Sequence, residues 1–144
     1  MIKRIGLTMR IIETSEYKET RDAISHDWIS YLGRFSDMLV VPLPNIGENA
    51  KILIEALQLD GLILTNGNDI GSAPIRDATE FSLVETAIKT KLPVLGVCRG
   101  FQFLQHYFGG KLTQVEPSLH VSTKHTVKIL DSRFGPDNRY VNSF

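Results

Sequence analysis

Pro93-Val94-Leu95-Gly96-Val97-Cys98-Arg99-Gly100-Phe101-Gln102 decides the fold, because a short apolar run passes there directly into a helical period. Pro93 to Val97 is too short for a helix and reads as a buried strand, whereas Phe101, Phe103, Leu104 and Tyr107 recur at helical spacing. Cys98 sits on the joint, with glycines two residues before and two after it. Gly-x-Cys-x-Gly is the thiol counterpart of the Gly-x-Ser-x-Gly elbow, in which the nucleophile occupies a strained turn and its neighbours must lack Cβ. A thiol there faces outward above a sheet, at a helix N-terminus whose free N–H groups favour a thiolate. The plainer alternative, a small buried hydrophobe, describes most free cysteines. The order strand, elbow, helix argues against it.

Working back along the chain, strand and helix alternate. Pro74 to Lys91 carries Phe81, Val84, Ala87 and Ile88 on one face and reads as a helix. Before it, Gly61 to Thr65 is an apolar strand emptying into Asn66-Gly67-Asn68-Asp69-Ile70-Gly71, residues that tolerate positive φ. Asn49 to Leu59 predicts a helix and Met38 to Leu43 a strand closed by Pro42 and Pro44. Arg21 to Phe35 predicts the first helix and Ile5 to Ile12 the first strand. Strands apolar on both faces need helices on both sides, so the expected fold is α/β: a doubly wound, mostly parallel sheet with right-handed crossovers. Ligands of such sheets bind beyond the carboxyl ends of the strands. After Gly110, Leu112 to Val115 and Thr123 to Leu130 read as strands without an intervening helix, which predicts a short antiparallel appendage.

Composition narrows the function classes. The chain has 144 residues, enough for one core, with 16 basic and 16 acidic side chains that interleave along it. No basic stripe offers itself to nucleic acid, and no apolar run of about 18 residues suggests a membrane span or leader. A single cysteine asks for no oxidising compartment, so a cytoplasmic address is expected. No ligand spacing for a metal stands out, and no cofactor is expected.

An acyl-transfer thiol needs donors for the oxyanion. Two are available in the pattern: the backbone N–H of Arg99, which opens the helix, and that of Gly67 in the loop after the preceding strand. Adjacent parallel strands would set these turns side by side.

The stretch 93–102, with Phe-Gly-Gly-Lys-Leu at 108–112, resembles the class I glutamine amidotransferases, and its Cys-Arg-Gly form is similar to the γ-glutamyl-γ-aminobutyrate hydrolase group, peptidase family C26. Asp60 to Ile70 resembles that group's loop, and Tyr140 to Phe144 its segment upstream of the catalytic histidine. Arg4 to Arg10, Arg21-Asp22-Ala23 and Val41 to Asn45 resemble members associated with bacterial surface-sugar gene clusters, some acting on γ-glutamyl nucleotide amidates. The resemblance implies a flavodoxin-like fold and hydrolysis of a γ-glutamyl C–N bond through a thioester on Cys98. It implies oxyanion contacts from Gly67 and Arg99, with Gln102, Asn66 and the backbone around Ser143 at the γ-glutamyl substrate. Asn66 stands where relatives carry the first of two glycines, and Asn tolerates the left-handed region.

In that family a His oriented by a Glu activates the cysteine, from a segment beyond the position of Phe144. Of the four histidines here, His106 lies eight residues past Cys98 on one helix, about 12 Å along its axis, and cannot reach it. His26 belongs to the first helix, and His120 and His125 fall in the appendage. The expectation is therefore that residues 1–144 form one amidotransferase-like domain, the N-terminal part of a longer one, inactive or slow alone. Three other readings stay open: a glutaminase subunit feeding ammonia to a synthetase partner, a catalytically dead binding module, and a redox thiol on the same fold. A homo-oligomer is also possible on this pattern.

Overall fold

The computed structural model describes residues 1–116, 123–135 and 138–143. They form two compact units, 1–111 and 112–144. In the first, strands β1 (Lys3–Thr8), β4 (Met38–Leu43), β5 (Gly61–Leu64) and β6 (Val94–Gly96) make one parallel sheet in the order β4-β1-β5-β6. Gly6 lies opposite Val41 and Leu62, and Leu64 opposite Gly96, which brings the ends of β5 and β6 level.

Both faces of this sheet are covered. Leu43, Leu62 and Leu64 pack with Ile54 of helix α2 (Lys51–Ala56), Leu83, Val84 and Ala87 of α3 (Pro74–Thr90) and Phe103 of α4 (Arg99–Tyr107). On the opposite face Leu7 and Ile63 pack against Leu32 of α1 (His26–Leu32), with Trp28 alongside. Strand periodicity of two sends successive residues to opposite faces, which explains the two clusters. The α/β doubly wound architecture expected from the sequence is the one observed. Among the described residues, no helix is long and apolar enough to cross a membrane.

In this unit three expectations are corrected. The first strand does not run to Ile12: β1 ends at Thr8, and β2 (Arg10–Glu13) leaves the sheet to pair antiparallel with β3 (Thr20–Ala23). Consequently the helix predicted from Arg21 starts only at His26, where the Ser25 hydroxyl accepts from the Asp27 N–H at 3.2 Å. Local apolar spacing could not reveal the hairpin, because its ladder forms between segments that lack a period of their own. The helix expected over 49–59 is a 3-10 turn, Gly47–Ala50, followed by the short α2.

In the second unit β7 (Thr123–Lys128) pairs antiparallel with β8 (Asn138–Ser143), Thr123 opposite Ser143 and Lys128 opposite Asn138. The appendage is antiparallel as expected, but Leu112–Val115 is not a strand. Its β propensity goes unused because the described partner of β7 is β8. His120 lies outside the described residues.

Candidate active site

The elbow is built by steric necessity. Cys98 has φ 53° and ψ −113°, a conformation that L residues rarely adopt and that persists only when its surroundings impose it. A methyl on Gly96 would lie 2.6 Å from the carbonyl carbon and oxygen of Gly100, and one on Gly100 would lie 2.1 Å from the carbonyl oxygen of Leu64. Only glycines let the start of α4 settle on the ends of β5 and β6. Hydrogen bonds then pin the turn, Val97 N–H donating to Leu64 O at 3.0 Å and Gly100 N–H to Val97 O at 2.9 Å. Cys98 is exposed, not packed among aliphatic groups.

One strand over, the loop after β5 is held from several sides. Gly67 has φ 83° and Asn68 φ 50°. The Asn68 side chain imitates a strand, its Oδ1 accepting from Ile11 N–H at 2.8 Å and its Nδ2 donating to Ile11 O at 2.9 Å. Trp28 Nε1 donates to Asn66 Oδ1 at 3.0 Å, and Thr65 is tied to Thr8 through both its N–H and its hydroxyl. A methyl on Gly67 would meet the Arg10 side chain at 2.9 Å. Within the described residues, neither Gly67 N–H nor Arg99 N–H donates to a protein acceptor.

Beneath both turns lies an ionic cluster that the sequence reading did not identify. Arg76, Glu80 and Arg99 are buried, and Asp77 is partly buried. Arg76 Nε donates to Glu80 Oε1 at 3.1 Å, and the Arg99 guanidinium engages both Glu80 Oε2 and Asp77 Oδ1. Arg76 also donates to the carbonyls of Thr65 at 2.9 Å, Asn66 at 3.2 Å and Gly67 at 2.6 Å. Thr8 Oγ1 donates to Glu80 at 2.8 Å. Two cations balance two anions, which makes their burial tolerable. Burial lowers the pKa of Arg76 from its ordinary value, against the opposing pull of Glu80. The available signal was Arg76 and Glu80 at helical i,i+4 spacing within a helix whose other inward residues are small or apolar.

Among the sequence-derived candidates, Cys98, Arg99 and the 66–68 loop come together at the level ends of β5 and β6. Gln102 is exposed near the start of α4, its N–H donating to Cys98 O at 3.1 Å. Asn66 is exposed with its side-chain oxygen committed to Trp28. Ser143 ends β8 in the second unit. Of the described histidines, His26 opens α1, His106 lies in the last turn of α4 and His125 is on β7, 2.6 Å from Thr123 Oγ1. Among the described residues no three His, Cys, Asp or Glu side chains converge as a metal site. A shallow hollow lined by Trp28, Tyr31, Asn66, Leu95 and Val97 adjoins the elbow, whereas the larger groove runs between α3 and α4 and does not include Cys98.

The site is thus that of an α/β protein with an exposed cysteine at a glycine-framed elbow of a parallel sheet and amides without a described acceptor on two adjacent turns. The family profile of Peptidase C26 matches residues 4–137, and the chain belongs to that family, of class I glutamine amidotransferase-like proteins. It is 31% identical to the γ-glutamyl-CDP-amidate hydrolase of Campylobacter jejuni over 90% of this chain and 66% of that protein. It is 29% identical to a glutamine amidotransferase-like protein of Lactococcus lactis over 97% of the chain and 71% of that protein. A glutamine-hydrolysing GMP synthase subunit of Methanococcus vannielii is 31% identical over 67% of the chain and 52% of that protein. The chain thus spans about two thirds of the length of the first two. These relatives support an enzyme of the hydrolase or amidotransferase kind.

Proposed function

We propose that the protein hydrolyses a γ-glutamyl C–N bond through a thioester on Cys98. The sulfur adds to the γ-carbonyl carbon, the oxyanion is held by the N–H groups of Gly67 and Arg99, and the C–N bond breaks as the amine takes up a proton. Water then cleaves the thioester, releasing glutamate and restoring the thiol. Gln102 contacts the glutamyl group, with Asn66 assisting. The observation that carries it is the conformation of Cys98, exposed at φ 53° and framed by glycines that admit no Cβ. A reduced thiol suits a cytoplasmic setting.

The name of the Campylobacter relative favours a γ-glutamyl nucleotide amidate as the substrate. The GMP synthase relative favours a second reading, ammonia supply to a synthetase partner. A glutamine-analogue diazoketone tests the common core. Its diazo carbon takes the thiol proton and bonds to sulfur as dinitrogen leaves. Mass spectrometry should find one adduct on Cys98 and none in Cys98→Ala. A folded protein that stays unlabelled under conditions that label a known amidotransferase would instead be a binding module. Glutaminase activity that rises on adding a synthetase partner would select the second reading.

A further inference from the structure

Each oxygen of the Glu80 carboxylate is committed to a different turn of the site. Oε1 accepts from Arg76, whose guanidinium also grips the carbonyls of Thr65, Asn66 and Gly67. Oε2 accepts from the side chain of Arg99, the residue whose own backbone N–H opens α4. A trans peptide sends its C=O and N–H in opposite directions. With the Asn66 carbonyl turned toward Arg76, the Gly67 N–H of that peptide must point away from the buried cluster. No described acceptor takes it up.

We propose that Glu80 and Arg76 are positioning residues: they orient the Gly67 amide and hold it at a set separation from the Arg99 amide, so that both donors converge on one oxyanion. The proposal rests on the thioester reading above. Side-chain bonds from a rigid helix do here what the loop's own backbone cannot, since Gly67 and Asn68 both sit at positive φ and the loop is not part of the sheet ladder. The α3 helix is anchored by its own burial, with Leu83 and Val84 fully enclosed, so the clamp has a fixed base. Fixed donors are what makes an oxyanion hole effective, because no reorganisation is then needed as charge develops.

The test compares two reactions of the same sulfur. Iodoacetamide alkylation displaces iodide and needs no carbonyl stabilisation, whereas labelling by the diazoketone presents a ketone to the two amides. Glu80→Gln leaves an unbalanced buried cation and can unfold the chain, so the decisive variant is Arg76→Met/Glu80→Met, which removes one charge of each sign. It should unfold cooperatively and alkylate within about threefold of the parent, while diazoketone labelling falls about 100-fold. Arg76→Lys keeps the charge and part of the grip, and should lie between. Parallel loss of both reactions, or no loss of either, in a folded variant overturns the proposal. Should every variant unfold, the parent decides by NMR: slow exchange of the Arg76 guanidinium protons supports the clamp, and exchange at the solvent rate refutes it. A parent that alkylates but resists the diazoketone defeats the thioester reading instead, and leaves the guanidinium exchange to judge the clamp.

Discussion

Replacing Gly100 by alanine sets two effects of opposite sign against each other. In an exposed helix interior alanine is better than glycine by about 1 kcal/mol. At Gly100, however, the new methyl would lie 2.1 Å from the carbonyl oxygen of Leu64, 2.6 Å from its carbonyl carbon and 2.7 Å from its Cβ. Leu64 is fully buried and that carbonyl already accepts from Val97, so neither side offers a flexible end that could yield. The start of α4 would have to retreat by about 1.3 Å to regain ordinary contact at 3.4 Å. Overpacking of this kind costs about 1–3 kcal/mol and occasionally more. A backbone collision lies at the upper end, and after the gain in propensity the net loss should be about 2 kcal/mol. For a chain of this size that lowers Tm by about 6 °C. The retreat also carries the Arg99 amide away from the elbow, so diazoketone labelling of Cys98 should slow by about 10- to 100-fold. Urea denaturation and timed mass spectrometry measure the two effects. Stability equal to or above the parent's, with unchanged labelling, would refute the steric account of the elbow.

Gln102→Ala should raise the diazoketone concentration that gives half-maximal labelling by about tenfold, the worth of one good hydrogen bond, and leave the limiting rate within about threefold. A fall in limiting rate alone would remove Gln102 from substrate capture. Asp60 accepts from the Arg4 N–H at 2.9 Å and from Lys3 Nζ at 2.9 Å, and these contacts, the backbone one foremost, lower its pKa. A carboxylate depressed in the folded state adds stability above its ordinary pKa and loses it as pH falls through the folded value. Asp60→Asn should therefore be less stable than the parent at neutral pH, and the difference should shrink as pH drops below about 4. Denaturation midpoints across that range check the sign, and a difference that grows on acidification contradicts it.

The elbow was legible because its requirements are local. Strand, Cys98 and helix follow one another within ten residues, and the two glycines mark where no Cβ fits. Strands β4, β5 and β6 and helix α3 announced themselves by apolar runs and period, since each buries one face or both against the rest of its own layer. The β2–β3 hairpin was not legible, because Arg10–Glu13 and Thr20–Ala23 owe their extended form to each other.

What sequence alone determined is the alternation of strands β4, β5 and β6 with helices, and the placing of Cys98 between two glycines at the joint of β6 and α4, all carried by neighbours along the chain. Only the tertiary structure decided what lies beneath the two turns of the site. Arg76, Glu80 and Arg99 look like ordinary charged residues in a row of letters. They come together when α3 packs beneath two strand ends and buries them against one another, Asp77, the Thr8 hydroxyl and the carbonyls above.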